Sequence, residues 1–474
     1  MVVRHESRAQ AEQTHRGSAG VVLVQLGPSP VQLRFARPDI QHERAIPFLR
    51  LVNGNDHRGA HQVLVHHNQQ LIARFDLRIS AEWASFGLDL SPWLGDTVAQ
   101  WPIELVLEVS AYPQATHLVD SLRPHEPPPA LVVDHRPDRP GSAWVALPPN
   151  QKPAERAIGL LASPGGRDHL GWMLGCTALG LWDAWATWRL EEARQGLELL
   201  LAGQGEGFPL LSLAGELPID TQNLESYLPL AALALWQQNF PRTSTQQLLR
   251  TQASRILHLL GQPRSQLTTE GAFTLAYPLS TLATALNQPD WYDLAAQEVL
   301  LRWKNLRFAD GIAQRTTFDR SRRWMLNWAR GIAWLLLGTV RVCQELPTRH
   351  PARPRLIAHL QQVWPLLEAQ QQATGLWSVF THLPTSGAET SGSAGLATAL
   401  ALAAREGWLP DQAWQAAQRC HLALSGYLEA DGSLHGVSQH NPAGEEVLQL
   451  GYRIRAAWGS GLFLQLHAAL GNRP

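Results

Sequence analysis

Leu228-Pro229-Leu230-Ala231-Ala232-Leu233-Ala234-Leu235 is the stretch that decides how this chain is built. It has helical composition but no polar face, and a helix of that kind is buried on more than one side. Working outward, helical periodicity runs from about residue 165 to the C-terminus, over 169–188, 189–203, 222–238, 244–260, 273–287, 291–305, 323–345, 354–372, 390–406, 411–428 and 452–470. Gly-containing turns recur between some of these helices, at Glu270-Gly271, Asp310-Gly311, Thr374-Gly375 and Asp431-Gly432. Gly tolerates the left-handed backbone that such reversals need. The recurrence predicts stacked helical hairpins, and six hairpins can close into a ring whose inner helices bury an apolar barrel. Eleven helices are read where six hairpins need twelve, so one is missed or irregular.

Upstream the period changes. Val31, Leu33 and Phe35 alternate with polar neighbours, as do Ile103, Leu105, Leu107 and Val109, with Glu104 and Glu108 facing away. Period-two alternation marks strands with one buried face. Similar short runs lie near 21–26, 46–52, 63–66, 72–79 and 86–90, separated by turn formers such as Asn53-Gly54-Asn55-Asp56. They predict a β-sandwich-like domain over 1–122. Residues 123–164 are rich in Pro, from Pro124 to Pro153, and read as a linker that includes a strand near Trp144–Leu147. The expected architecture is mainly α: a β-rich domain, a linker, and a helical domain over 165–474.

Composition narrows the function. Lys and Arg number 39 against 40 Asp and Glu, a formal net charge of −1, which offers no footprint for nucleic acid or an anionic membrane. No run of about 18 apolar residues is present and Met1–Ser18 lacks an apolar core, so no membrane partner and a cytoplasmic location are expected. The 3 Cys, at 176, 343 and 420, build neither a disulfide framework nor a zinc site. His57, His61, His66 and His67 cluster without carboxylate or Cys partners, so no metal site is assigned. The chain holds 19 Trp. Indoles fill large cores and stack on flat apolar faces such as those of sugar rings.

Four stretches then resemble one enzyme group, the unsaturated uronyl hydrolases of glycoside hydrolase families 88 and 105. Trp328-Ala329-Arg330-Gly331-Ile332-Ala333-Trp334 is similar to their W-A-R-G-x-x-W. Gly375-Leu376-Trp377 followed by Glu389-Thr390-Ser391-Gly392-Ser393-Ala394 resembles G-L-W … E-T-S-x-S-A. Asp431-Gly432-Ser433-Leu434-His435-Gly436-Val437 resembles D-G-x-L-x-G-V, and Trp172-Met173-Leu174-Gly175 a first-helix W-x-x-G. The resemblance covers about 165–470 and implies an (α/α)6 barrel. It also implies the reaction: removal of a terminal unsaturated uronic acid from an oligosaccharide, with no metal or other cofactor. An Asp protonates the C4=C5 enol ether and assists water at C5; the hemiketal formed then opens and releases the sugar.

The match departs where it matters most. The family acid lies in W-x-D-x-L-Y-M, and the corresponding stretch here is Ala272-Phe273-Thr274-Leu275-Ala276-Tyr277-Pro278. Tyr277 is kept, but Thr274 stands in the place of the Asp and cannot exchange a proton at neutral pH. Three carboxylates remain as candidate acids. Asp220 precedes a helix, where capping is the alternative. Asp319 sits among Arg315, Arg320, Arg322 and Arg323, which suits a structural carboxylate equally. Glu270 is brought in by a small register shift, although its Glu-Gly turn predicts solvent exposure.

Arg330 can grip a uronate carboxylate with a bidentate fork or serve in a structural ion pair. Trp328, Trp334 and Trp377 are candidate sugar platforms, with core packing as the rival. Glu389 and Thr390 are candidate contacts that can equally be helix caps; His435 and Tyr277 complete the set. The expected partner is an oligosaccharide, with assembly state open. The expected activity is a glycoside hydrolase acting on acidic oligosaccharides. The alternatives are a silent glycan-binding barrel, which Thr274 favours, a hydrolase of saturated glycosides, and an epimerase using His pairs.

Overall fold

A computed structural model describes residues 15–16, 21–25, 30–35, 46–53, 61–76, 85–89, 93, 103–111, 130–134, 144–147, 152–162, 171–202, 227–438, 444–449, 451 and 453–471. The N-terminal strands are β1 (His15–Arg16), β2 (Val21–Gln25), β3 (Val31–Phe35), β4 (Ile46–Asn53), β5 (His61–His67), β6 (Gln70–Asp76), β7 (Ser85–Asp89), β8 (Ile103–Ala111), β9 (Ala130–Asp134) and β10 (Trp144–Leu147). They form two antiparallel sheets. One runs β3-β8-β5-β6; the other runs β1-β2-β9-β4-β7, with β10 also on β4, and continues from β7 into the C-terminal strands Arg453–Ala456 and Leu434–Ser438. Val63, Val65, Leu105 and Leu107 are buried and Glu104 is exposed, as alternation requires.

The Pro-rich stretch is more structured than a linker. β9 pairs with β2 and β4, and β10 pairs with β4, so both strands belong to the β domain. Pro153–Ala162 is a helix, α1, which moves the start of the helical domain forward from 165. Its first-turn Pro is where a helix accepts one. The Glu155 carboxylate takes the Lys152 N–H at 2.9 Å, as in a capping box.

With α1 the barrel helices number twelve among the described residues, apart from a five-residue helix at Glu445–Gln449. The others are α2 (Trp172–Trp188), α3 (Glu191–Ala202), α4 (Pro229–Asn239), α5 (Thr243–Leu260), α6 (Tyr277–Leu286), α7 (Asp290–Leu306), α8 (Ala329–Glu345), α9 (Arg353–Gln370), α10 (Thr390–Arg405), α11 (Asp411–Ser425) and α12 (Ala457–Gly471). The even-numbered helices touch in sequence around a ring, and α12 closes onto α2. The odd-numbered helices form the outer layer, with α1 set between α12 and α2. This is the (α/α)6 barrel expected from the hairpins. The inner helices come very close: a Cβ added at Gly461 would lie 2.5 Å from the Cys176 carbonyl oxygen. Away from the mouth, Arg341 pairs with Asp183 and reaches Gln465, joining α8, α2 and α12. No helix among the described residues is long and apolar enough to cross a membrane.

Candidate active site

The inner helices run parallel, so their N-termini gather at one mouth. Trp172 and Trp458, near the starts of α2 and α12, lie 4.6 Å apart in an edge-on contact, and Trp172 meets Trp334 of α8 at 5.5 Å. Trp334 stacks on Phe273, and Phe273 on Tyr277, both at 5.8 Å. This aromatic column leads down from the mouth along α6. Helix N-termini carry partial positive charge and favour anions.

Arg330, the second residue of α8, is only 1% exposed. Its guanidinium lies 4.6 Å from the Trp328 ring centroid, 5.0 Å from Trp458 and 5.9 Å from Trp172. Nη1 donates to the Ser438 carbonyl at 3.0 Å and the Ser391 hydroxyl at 3.2 Å. The Glu389 carboxylate lies 3.9 Å from Nη1. Glu389 is fully buried and caps α10, accepting from the Ser391 and Gly392 amides, the Ser391 hydroxyl at 2.6 Å and the Ser438 amide at 3.1 Å. Only Gly fits at 392, because a Cβ there would lie 2.5 Å from Glu389 Oε2. The Trp328 indole N–H is buried without a hydrogen-bond partner, so this cage has a donor to spare. Stretches distant in sequence therefore meet around one cation.

Glu270 lies just before the inner helix that adjoins α8. Residues Ala272–Ala276 form a π-helical turn ahead of α6, a feature found often at functional sites. Glu270 is 5% exposed, which corrects the expected solvent-facing turn. Its carboxylate accepts from Gln314 Nε2 at 2.7 Å and the Thr269 hydroxyl at 3.3 Å. Burial pushes its pKa above the usual carboxylate range, against the pull of hydrogen bonds, including those from Gln314 and Thr268, and of the Arg315 charge. Gln314 also packs beneath Gly331, next to Arg330: a Cβ at Gly331 would lie 3.1 Å from Gln314 Cβ. The Glu270 carboxyl and the Arg330 cage thus share Gln314 as a neighbour.

Other expected residues fall elsewhere. Trp377 is fully buried and donates from Nε1 to the Leu367 carbonyl of α9 at 2.9 Å, so it is a core residue and not a sugar platform. Trp334 and Tyr277 are buried within the aromatic column. Asp319 sits in an exposed turn, where hydrogen bonds from Thr317 and Ser321 hold its pKa down to about 2. A carboxylate so firmly ionised is a poor proton donor, which corrects its candidacy. The Thr390 hydroxyl donates to the His435 carbonyl at 2.8 Å, tying the start of α10 to the strand Leu434–Ser438. His435 packs on Tyr427 at 4.7 Å, with Glu429 at 4.0 Å. Asp220 lies outside the described residues. Sequence reading missed Trp458, Ser438 and Gln314. Ser438 directly follows the Asp431–Val437 motif, while Gln314 carries no local signal.

Residues 276–470 match Glycosyl Hydrolase Family 88. The matched stretch contains the three motifs that start at Trp328, Gly375 and Asp431. The family 88 match begins two residues beyond Thr274, so the departing position lies outside it. Solved structures with the same barrel fold include a possible family 105 member from Klebsiella pneumoniae, at 17% identity and TM-score 0.58, covering 67% of this chain and 92% of that one. A family 105 hydrolase from C. acetobutylicum shows 15% identity and TM-score 0.58, with 68% and 99% covered. The unsaturated glucuronyl hydrolase of a Bacillus species shows 16% identity and TM-score 0.51, with 68% and 96% covered. No curated protein matches the chain.

Proposed function

We propose that the protein removes a terminal unsaturated uronic acid from acidic oligosaccharides, with Glu270 as the acid in place of the family Asp. One observation carries the assignment: a buried carboxyl of raised pKa sits one turn ahead of Thr274 and is held by Gln314, which packs under Gly331 next to the caged Arg330. A carboxyl held protonated closer to neutrality is what proton delivery to carbon requires.

In this reading the uronate carboxylate lies against Arg330 and the free Trp328 indole N–H. The Glu270 proton passes to C4 of the C4=C5 enol ether. Water adds at C5 and returns its own proton to Glu270, so hydration leaves the enzyme unchanged. The C5 hemiketal opens to the ketone, and the leaving sugar departs. The Gln314 amide holds the carboxylate in place between the two protonation states.

The test uses a lyase-generated unsaturated disaccharide in D2O. Loss of near-ultraviolet absorbance, with deuterium at C4 of the first product formed, supports the reading. Turnover of saturated glycosides alone overturns it. A second reading, a barrel that binds glycans without turnover, is favoured by Thr274. Binding with no loss of absorbance would establish it.

A further inference from the structure

Between the acid and the cage the chain leaves the barrel as a β-hairpin, Gly311–Thr317 and Arg323–Leu326. It is rooted in the site at both ends. Its first strand pairs with Gln266–Thr268 just ahead of Glu270 and carries Gln314; its second ends two residues before Trp328.

The hairpin is also the place where charge accumulates. Residues 307–326 contain five Arg (307, 315, 320, 322 and 323) and two Asp (310 and 319), with no Lys or Glu, so the local balance is +3 in a chain of formal charge −1. Both carboxylates are engaged within the hairpin, and the balance of +3 already counts them. Asp310 is gripped by both terminal nitrogens of Arg323, at 2.6 and 2.7 Å, and Asp319 binds the Ser321 hydroxyl at 2.7 Å and its amide at 3.1 Å. Arg320 and Arg322 form no ion pair with a carboxylate among the described residues, and Arg315, whose charge acts on Glu270, has a buried Nε with no hydrogen-bond partner.

These cations are held on aromatic rings. Arg322 lies 5.3 Å over Trp324, and Arg315 faces Trp324 across the strands. Arg320 and Arg323 lie 4.5 and 5.0 Å from the Phe308 ring centroid. Phe318 at the tip is 46% exposed. Arg320 Nη2 donates to the Arg307 carbonyl at 2.8 Å, and stacking on a ring leaves the remaining in-plane donors of such a guanidinium open to an anion.

We infer that this hairpin is a second anion subsite, which takes an acidic group on the sugar next to the unsaturated unit, on the leaving-group side. The inference rests on the proposed function for its direction along the substrate, but not for its binding chemistry. Charge complementarity and the shared Gln314 strand both point to an acidic oligosaccharide chain.

The test is calorimetric titration of the full chain with saturated trigalacturonate, which has no C4=C5 bond to react. Maltotriose is the neutral control, and a saturated chondroitin sulfate oligosaccharide the sulfated probe. The double variant Arg320→Gln/Arg322→Gln removes two exposed cations, and its unfolding midpoint confirms that it folds. Trigalacturonate binding weakened about tenfold, with a shallower salt dependence, is expected. Tighter binding of the sulfated probe by the parent, lost in the variant, would assign the group as sulfate rather than carboxylate. Equal affinity of parent and variant for both acidic probes, or no preference of the parent over maltotriose, overturns the subsite. If the unsaturated disaccharide is not turned over but arginine-dependent binding persists, the catalytic reading alone fails.

Discussion

The Thr274 hydroxyl donates to the Glu270 backbone carbonyl at 3.1 Å. The residue in the position of the family acid is therefore bonded one turn back to the residue assigned in its place. The π-helical turn begins between them, and both are almost wholly buried. Thr274→Val keeps the shape and removes this one bond. It is expected to cost about 1 kcal/mol of stability and to leave kcat within a few-fold. A loss as large as that from Glu270→Gln would return the chemistry to position 274.

The raised pKa of Glu270 gives a signed pH dependence. The group must carry its proton to act, so kcat falls as pH rises through the folded-state pKa. Stability moves the same way. The folded state holds this proton more tightly than the unfolded chain, so the contribution is fully present below the unfolded value and is lost as pH rises through the folded one. Glu270→Gln should flatten this part of the stability profile, as followed by thermal unfolding from pH 4 upward. An unchanged profile would contradict the burial argument.

Arg330 offers a planar fork in a cage of three indoles. Arg330→Lys keeps the charge and loses the fork, so KM for an unsaturated disaccharide should rise about tenfold or more, with a smaller change in kcat. Circular dichroism and the melting temperature check that the buried lysine is accommodated. An unaltered KM would mean that Arg330 serves only Glu389 and the two serines.

Trp377 separates packing from recognition. Trp377→Phe loses the bond to Leu367 and leaves a small void, at about 1–3 kcal/mol. The melting temperature should fall while KM stays put. A rise in KM would restore Trp377 to the mouth.

His421 and His467 form a stacked pair between α11 and α12, joined at 2.8 Å. Burial lowers both pKa values, with His421 pushed to about 4 and the His467 ring adding to the shift of His421. The unfolded chain binds protons first as pH falls below the ordinary 6.5, so stability should drop between there and about 4. His421→Phe should blunt that drop in a pH series of thermal melts; an equal drop in the variant would place the acid sensitivity elsewhere.

The barrel and its cation were legible because their signals are local. Trp328 through Trp334 sits at a helix start, and an apolar helix such as Pro229–Asn239 admits few placements. The first helix was hidden because Pro153 looks like linker composition, although Pro is welcome in a first turn. Glu270 reads as an exposed turn because the groups around it are distant in sequence: Gln314, 44 residues away, and Arg302, which packs against Gly271. Trp377 read as a platform because neighbouring residues do not tell which way an indole points.

The most direct measurement compares the parent and Glu270→Gln on one unsaturated uronyl disaccharide, following near-ultraviolet absorbance at matched folded concentration. The account predicts a loss of about a hundredfold or more in kcat for the variant, with Asp319→Asn and Asp220→Asn keeping at least a tenth of the parental rate. A Glu270→Gln protein that clears the absorbance as fast as the parent would contradict it.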